Sequence, residues 1–403
     1  MTRRPAWDAI RPILGGVLAL AAAMGIGRFA FTPILPAMQA GAGLDTAQAG
    51  LLASVNYAGY LAGALLAGVA VPRRKRPAVL LVSAVLVALT TAAMAFASGM
   101  LAWGVIRFVA GLASAGVFVL ASGLVLEDLR LKGRAAASGW LFSGVGLGIV
   151  VSGAVVGTTV GALGWRGTWL ALALLAAAAI QPAWGWTPRS APSPATGGAP
   201  GAPAHRATTR PVGADAVALA LLFAAYFLEG AGYIVTGTFL VAIVEDMPGL
   251  RGAGAWVWIV AGLAVIPSAA LWSMLGGRFG FARALVAAFV LQAVGVALPL
   301  AGGAPAAFAS AVLFGGTFAG ITALTLTLAG FLSPGRAAGL VGLLTAVFGI
   351  GQVIGPLAAG AIASSGRGFG PALVAAAVAL FIAAGLVALL VPRDPSRRVH
   401  RPA

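Results

Sequence analysis

The stretch Met24-Gly-Ile-Gly-Arg-Phe29 returns 205 positions later as Glu229-Gly-Ala-Gly-Tyr-Ile234. Each copy lies inside a long apolar segment, which indicates that the chain is a duplicated membrane domain. The copies differ mainly in their polar residues, which are Arg28 in the first and Glu229 with Tyr233 in the second. Since both charges fall where hydrocarbon surrounds the chain, they are the first candidates for functional residues.

The composition is that of a membrane protein. Of its 403 residues, 61% are hydrophobic and 8% are charged, whereas an average soluble domain carries about 25% charged residues. Cysteine is absent and the two histidines, His205 and His400, lie in polar segments, so we expect neither a metal site nor a cofactor. At roughly 20 residues per membrane crossing, the chain has room for about a dozen helices and for no large soluble domain.

The apolar segments predict an all-α membrane protein with twelve transmembrane helices. We place these helices at residues 12–37, 47–71, 77–97, 101–126, 138–162, 167–186, 215–244, 253–275, 284–302, 306–331, 340–363 and 371–391. Between the sixth and seventh helices, the chain is rich in Pro, Ala, Gly and Ser, which is typical of a flexible linker. We therefore predict an N-terminal six-helix bundle over residues 1–186, a cytoplasmic linker over 187–214, and a C-terminal six-helix bundle with a short basic tail over 215–403.

Basic residues are distributed unequally between the two sides of this arrangement. The net charge of +16 could indicate a nucleic-acid partner, but 20 of the 25 Lys and Arg residues fall in segments on the side of the N-terminus. The opposite side holds three, Arg166, Arg251 and Arg367, and the remaining two lie within helices. By the positive-inside rule, both termini are cytoplasmic. We expect an integral protein of the bacterial inner (plasma) membrane that binds no nucleic acid and requires no protein partner.

Several motifs resemble those of the major facilitator superfamily of transporters. Arg107-x-x-x-Gly111 in the predicted fourth helix is similar to the superfamily's helix-four motif, and Gly349-x-Gly351-x-x-x-Gly355-Pro356 is similar to its glycine-proline antiporter motif. The basic segments after the second and eighth helices resemble its gating loops. The gating residues that this resemblance implies are Arg73, Arg76, Arg278 and Arg283.

More narrowly, three segments resemble the YbfB/YjiJ-like branch of that superfamily. They are Gly25-Ile-Gly-Arg-Phe-Ala-Phe-Thr-Pro33, Asn56-Tyr-Ala-Gly-Tyr-Leu-Ala-Gly63 and Glu229-Gly-Ala-Gly-Tyr233, and the resemblance spans essentially the whole chain. It implies the major facilitator fold, in which two pseudo-symmetric six-helix bundles enclose a central site that opens alternately to each side of the membrane. It names no substrate.

The sequence lacks the motifs of an ATPase or an enzyme. A phosphate-binding loop requires Gly-Lys followed by Ser or Thr, and the only lysines, Lys75 and Lys132, follow Arg74 and Leu131. No metalloprotease or serine-hydrolase motif occurs, and no predicted helix contains a histidine. We therefore expect a secondary active transporter and not an enzyme. A sensor that shares the transporter fold is a further alternative, because fold alone does not determine function.

Three charges are predicted to lie at similar depths in the membrane. At 1.5 Å per residue, Arg28 lies about 24 Å, Glu229 about 21 Å and Arg107 about 28 Å from the cytoplasmic ends of their helices. In the superfamily, helices one, four, seven and ten line the cavity, so we expect these charges to converge there. The candidate substrate-binding residues are Arg28, Arg107, Tyr226, Tyr233, Asn56, Tyr60 and Gln352, and the candidate proton-coupling residue is Glu229.

Two functions follow from these candidates. Arg28 has the uncharged Tyr233 as its counterpart in the repeat, so the scaffold does not itself require a cation there. Because guanidinium groups pair with carboxylates bidentately, we predict proton-coupled transport of a small organic anion. The alternative is a proton-driven exporter of multiple drugs or cationic compounds, in which Glu229 holds the cation and the arginines are structural. For Arg107, structural and substrate-binding roles are equally compatible with the sequence.

Overall fold

Nearly every described residue of the computed structural model lies in a helix. The described residues are 6–134, 139–188, 216–333, 337–394 and 396, so most of the predicted linker and the end of the tail fall outside them. The α-helices are α1 (Ala6–Leu20), α2 (Phe31–Ala42), α3 (Thr46–Val69), α4 (Arg76–Phe96), α5 (Met100–Leu131), α6 (Gly139–Trp186), α7 (Ala216–Glu245), α8 (Gly254–Phe279), α9 (Phe281–Ala297), α10 (Gly303–Leu332), α11 (Ala337–Ile362) and α12 (Gly370–Ala388). The predicted all-α membrane fold is confirmed.

Eleven helical segments of the described chain are long and apolar enough to cross a membrane, and one of them crosses twice. Helix α6 has 48 residues but is interrupted at Gly164, whose φ of 63° and ψ of −178° are not helical. The hydroxyl oxygens of Thr159 and Thr168 lie 3.1 Å apart. In a continuous helix, residues nine positions apart would be separated by about 13.5 Å. The chain therefore reverses at Gly164, which gives the twelve crossings that the sequence predicts.

The first membrane crossing predicted at residues 12–37 is one span in the structure, Ile10–Ala42, but its α-helix is interrupted. After α1 comes a π-helix, Ala21–Ile26, and then a turn at residues 27–30 that leads into α2. Pro33 explains the break, because it cannot donate a hydrogen bond to the carbonyl of Phe29 and its ring excludes a helical carbonyl at that position. Irregular backbone is tolerated at membrane depth where protein covers it, and residues 21–35 are all buried. The break places Arg28 in the turn.

The internal repeat is visible in how the helices pack. Gly25 lies against Gly148 of α6, and its repeat partner Gly230 lies against the carbonyl of Phe348 on α11, each so closely that a Cβ atom would overlap the opposing backbone. The glycine-dense segments of the fifth and eleventh crossings are therefore helix-packing surfaces, as small residues commonly are in membranes. The same type of contact holds the first crossing to the fifth and the seventh to the eleventh.

Close contacts join the two halves of the chain. Gly50, near the start of α3, lies against the carbonyl of Pro356, near the end of α11. The Thr32 hydroxyl donates a hydrogen bond of 2.6 Å to the Gly237 carbonyl. Val69, at the other end of α3, is 88% exposed.

We expect Gly148→Ala to destabilise the protein strongly. The added methyl group would overlap the carbonyl oxygen of Ala21 and lie 2.8 Å from the Gly25 Cα atom, and overpacking of this kind typically costs about 1–3 kcal/mol or more. Gly161→Ala in the same helix is the matched control, because its methyl group would meet no atom within 4 Å. Melting of the two detergent-purified variants measures the difference. Equal melting temperatures would show that these backbones are not in contact.

Candidate substrate site

Arg28 lies at the centre of the candidate site, in the turn that breaks the first crossing. Its Nη2 atom donates a hydrogen bond of 2.9 Å to Oε1 of Gln352 on α11. Its Cζ atom lies 3.9 Å from the ring centroid of Tyr60 and 4.8 Å from that of Tyr57, both on α3. Arg28 is 3% exposed, and its Nε atom has no hydrogen-bond partner. The cation is thus held by aromatic rings and one amide, and part of its donor capacity is unused.

Gln352 connects Arg28 to the second half of the chain. While its Oε1 atom accepts from Arg28, its Nε2 atom donates a short hydrogen bond to the Tyr233 hydroxyl. Tyr233 on α7 is the repeat counterpart of Arg28, so the two corresponding positions of the duplication meet through one amide. Three of the predicted substrate-binding residues are therefore brought together.

Arg107 supports the backbone of the Arg28 turn. It is 1% exposed, and its Nη2 atom donates a hydrogen bond of 3.4 Å to the carbonyl oxygen of Arg28. Its Cζ atom lies 4.7 Å from the ring centroid of Phe31 at the start of α2. Asn56 is directed away from Gln352, because its Nδ2 atom donates to the Arg107 carbonyl at 2.7 Å. Asn56 thus joins α3 to α5, the structural role that polar side chains often play between membrane helices.

Five aromatic rings from α7, α10 and α11 lie nearly parallel next to this network. Tyr226 stacks on Phe348 with centroids 4.6 Å apart, and Phe348 and Phe318 each lie 5.5 Å from Tyr233. Phe314 follows at 6.1 Å from Phe318. The angles between these ring planes range from 6° to 19°. We call these five residues the aromatic stack.

Glu229 does not join the arginines, contrary to the expected convergence of three charges. It is 1% exposed and forms no ion pair with Arg28 or Arg107. Gln292 of α9 lies near its carboxyl group, but Oε2 of Glu229 and both amide atoms of Gln292 have no hydrogen-bond partner. The prediction used only the spacing of residues along α7. The neighbour that Glu229 contacts also depends on how α7 is rotated about its own axis, and this rotation turns Glu229 towards α9.

The two arginines are not compensated by acid in the described part of the chain. Neither forms an ion pair there, and both are almost completely buried. A buried charge without a partner carries a desolvation cost of several kcal/mol. Charged residues kept within membrane helices at such a cost commonly mark substrate or ion pathways. The arrangement is suited to bind an anion.

The basic residues predicted to act in gating lie far from this network, at the ends of their helices. Arg73 begins a short 3₁₀ helix before α4, and Arg76 begins α4. Arg278 is exposed and lies over the ring of Phe279, with its Cζ atom 5.3 Å from the centroid. Among the described residues, no acidic side chain forms an ion pair with Arg73, Arg76, Arg278 or Arg283. The gating role of these four residues stays a prediction.

The phenylalanines of the stack and Gln292 are not among the site residues that the sequence predicts. Phe314 and Phe318 are spaced i, i+4 and so share a face of α10, which is a signal that the sequence does contain. Phe348 stands alone on α11 and gives no such signal. Gln292 is a single polar residue in an apolar helix, and its partner could be found only from the packing of α9 against α7.

Comparison with known proteins shows which family the chain belongs to. A family model described as the uncharacterised MFS-type transporter YbfB matches residues 20–388. The chain belongs to this family of transporters. Membership in the YbfB family confirms the resemblance to the major facilitator superfamily and the expectation that the protein is a transporter and not an enzyme.

A curated relative and two solved structures are similar to this YbfB-family transporter. The cis,cis-muconate transport protein of Acinetobacter baylyi (strain ATCC 33305 / BD413 / ADP1) is 28% identical over 123 residues, which are 30% of either chain. A bacterial homologue of the human lysosomal transporter Spinster, in an inward-facing and occupied conformation, has a TM-score of 0.69 and 17% identity over the full length of both chains. The nucleoside transporter NupG has a TM-score of 0.67 and 16% identity over 97% of this chain and 100% of its own. These structures show the shared fold.

Proposed function

We propose that this YbfB-family protein is a secondary active transporter of a small organic anion. The observation that carries the proposal is the pair of buried arginines without an acidic partner among the described residues. A carboxylate accepts two parallel hydrogen bonds from a guanidinium group, and Arg28 has an Nε donor that is unused. Binding of an organic anion would supply the missing counter-charge.

The alternating-access cycle of such a transporter requires a ligand that contacts both halves. Arg28 belongs to the first half, whereas Gln352 and Tyr233 belong to the second. An anion placed at Arg28 lies next to the one amide that links them. A ligand shifts a conformational equilibrium only by its difference in affinity for the two states, and a ligand that bridges the halves has such a difference.

The relative supports an anionic substrate. By its name, that protein transports cis,cis-muconate, which is a dicarboxylate, and the match covers 30% of its length. The second function considered, export of cationic compounds, would place the cation at Glu229 and would leave the two buried arginines without a counter-charge. The arrangement of the arginines therefore favours the anion.

We assign proton coupling to Glu229. It is the only acidic residue deep within a predicted span.

The proposed orientation in the membrane follows from the basic residues. Their excess on one side supports cytoplasmic termini in an inner membrane. In that orientation, the end of α3 with the exposed Val69 faces the cytoplasm.

A thermal-shift screen of the purified protein tests the anionic substrate. A ligand that binds only the folded state stabilises it by RT ln(1 + [L]/Kd), or about 2.7 kcal/mol at a concentration of 100 Kd. We expect carboxylates to raise the melting temperature and amine or quaternary-ammonium compounds to leave it unchanged. Stabilisation by cationic compounds alone would contradict the proposal and favour the exporter.

A further inference from the structure

All four tyrosines of this chain lie at the candidate site. The sequence contains four tyrosines, Tyr57, Tyr60, Tyr226 and Tyr233. Two of them flank the Arg28 guanidinium, and the other two belong to the aromatic stack. In a protein with 8% aromatic residues, whose buried core is otherwise mostly aliphatic, this concentration requires an explanation beyond packing.

The rings of the stack are offset from one another and do not cover each other completely. Carbon atoms in contact are about 3.5–4.0 Å apart, but the Tyr233 centroid lies 5.5 Å from those of Phe318 and Phe348. Parallel rings at that centroid distance are displaced sideways by about 4 Å when their planes are in contact. The offset therefore leaves part of each ring face uncovered by its stacking partner.

Partly exposed rings occur on both sides of Arg28. In the second half, Phe318 and Phe348 are half-buried while the other members of the stack are fully buried. In the first half, Tyr60 and Phe118 are likewise half-buried, and their ring centroids lie 6.4 Å apart. Both halves of the transporter thus place partly exposed aromatic side chains near the cation.

The cation and the stack are close enough to contact one small molecule. The ring of Phe29, the residue after Arg28, meets Phe318 edge-on at 6.2 Å. Gln352 joins Arg28 to the Tyr233 hydroxyl. A carboxylate held by Arg28 would have its substituent next to Phe318 and Phe348.

We propose that the substrate is a planar conjugated carboxylate, an aromatic or polyunsaturated acid, whose carboxylate binds Arg28 and whose flat body lies between Phe318, Phe348 and Tyr60. The proposal rests on the proposed anion transport and specifies its substrate class. Aromatic rings prefer offset-stacked or edge-to-face contacts with one another, and the stack and Phe29 offer both geometries. A rigid planar ligand also loses little conformational freedom on binding.

Benzoate and cyclohexanecarboxylate are the probes that test this inference. They share the carboxylate and a six-membered ring and differ in planarity and π electrons. We expect titration calorimetry of the purified full-length protein to show about fivefold tighter binding of benzoate, the size of effect that aromatic pairing supports. In Phe348→Leu, we expect that ratio to fall below about twofold. Phe239→Leu is the matched control, since Phe239 lies on α7 outside the stack and packs at 45° on Phe369, and its ratio should equal that of the wild type.

The outcomes separate this inference from the proposed function. Equal binding of both acids, or a benzoate preference that Phe348→Leu leaves intact, would overturn the planar substrate and leave anion transport standing. Binding of saturated aliphatic carboxylates without binding of benzoate would do the same. If no carboxylate binds and cationic compounds do, the proposed function itself fails.

Discussion

Arg28→Met is expected to abolish anion binding while the unliganded protein becomes as stable as the wild type or more stable. Methionine fills a similar volume between Tyr57 and Tyr60, and it removes a buried charge that has no acidic partner in the described chain. Replacing buried charge by a hydrophobic group of similar size is often neutral or stabilising. Losing the cation should cost the ligand about 3 kcal/mol or more, which is at least about a hundredfold in affinity.

The conservative variant refines this expectation. Arg28→Lys keeps the charge but loses the planar pair of donors, so we expect intermediate affinity. Arg367→Ala is the control, because Arg367 is an exposed arginine in the segment between α11 and α12. Melting of the unliganded proteins and uptake of a labelled carboxylate into proteoliposomes measure the two effects separately. A purely structural Arg28 would give the opposite pattern, with an unstable Arg28→Met protein that still binds anions.

Glu229→Gln is expected to abolish accumulation driven by a pH gradient and to spare exchange of substrate across the membrane. Glutamine keeps the shape of the side chain and can still meet Gln292, but its amide does not titrate and so cannot take up and release a proton during transport. The structure contains no Glu229–arginine pair, so the substitution breaks no ion pair and folding should be preserved. Glu229 lies one helical turn before Tyr233, which places it close to the Gln352 network that contacts Arg28.

Reconstituted protein provides the measurement for Glu229→Gln. Labelled substrate is followed in vesicles with an imposed pH difference and, separately, with unlabelled substrate inside. Glu127→Gln is the control, because Glu127 lies near the end of α5, away from the central network. A folded Glu229→Gln protein that still concentrates substrate when driven by pH would remove Glu229 from the coupling mechanism.

Much of the fold follows from patterns that are local in sequence. The lengths of the apolar segments predict the membrane crossings. Gly164 separates two crossings between residues 162 and 167, where the sequence predicts a boundary. The irregular turn at Arg28 was not predicted, although Pro33 cannot donate to the carbonyl of Phe29, which accepts a hydrogen bond from the Thr32 amide instead. Apolar residues flank that break on both sides, and hydropathy alone does not distinguish a buried turn from a helix.

The site was partly predictable because the two copies of the repeat can be compared position by position. The comparison of Arg28 with Tyr233 selected two residues that meet through Gln352. It could not assign Glu229 to Gln292, since that contact depends on how α7 is rotated against α9. The aromatic stack combines residues from three helices, and their common plane arises only when those helices pack.

Titration of carboxylate into the wild type and Arg28→Met is the most direct test that Arg28 binds an anionic substrate. The ligand should be the carboxylate that stabilises the wild type most. We predict saturable binding to the wild type and to Arg367→Ala, and no measurable binding to Arg28→Met protein that melts at or above the wild-type temperature. Unchanged affinity in folded Arg28→Met protein would contradict the assignment of Arg28 as the residue that receives the substrate.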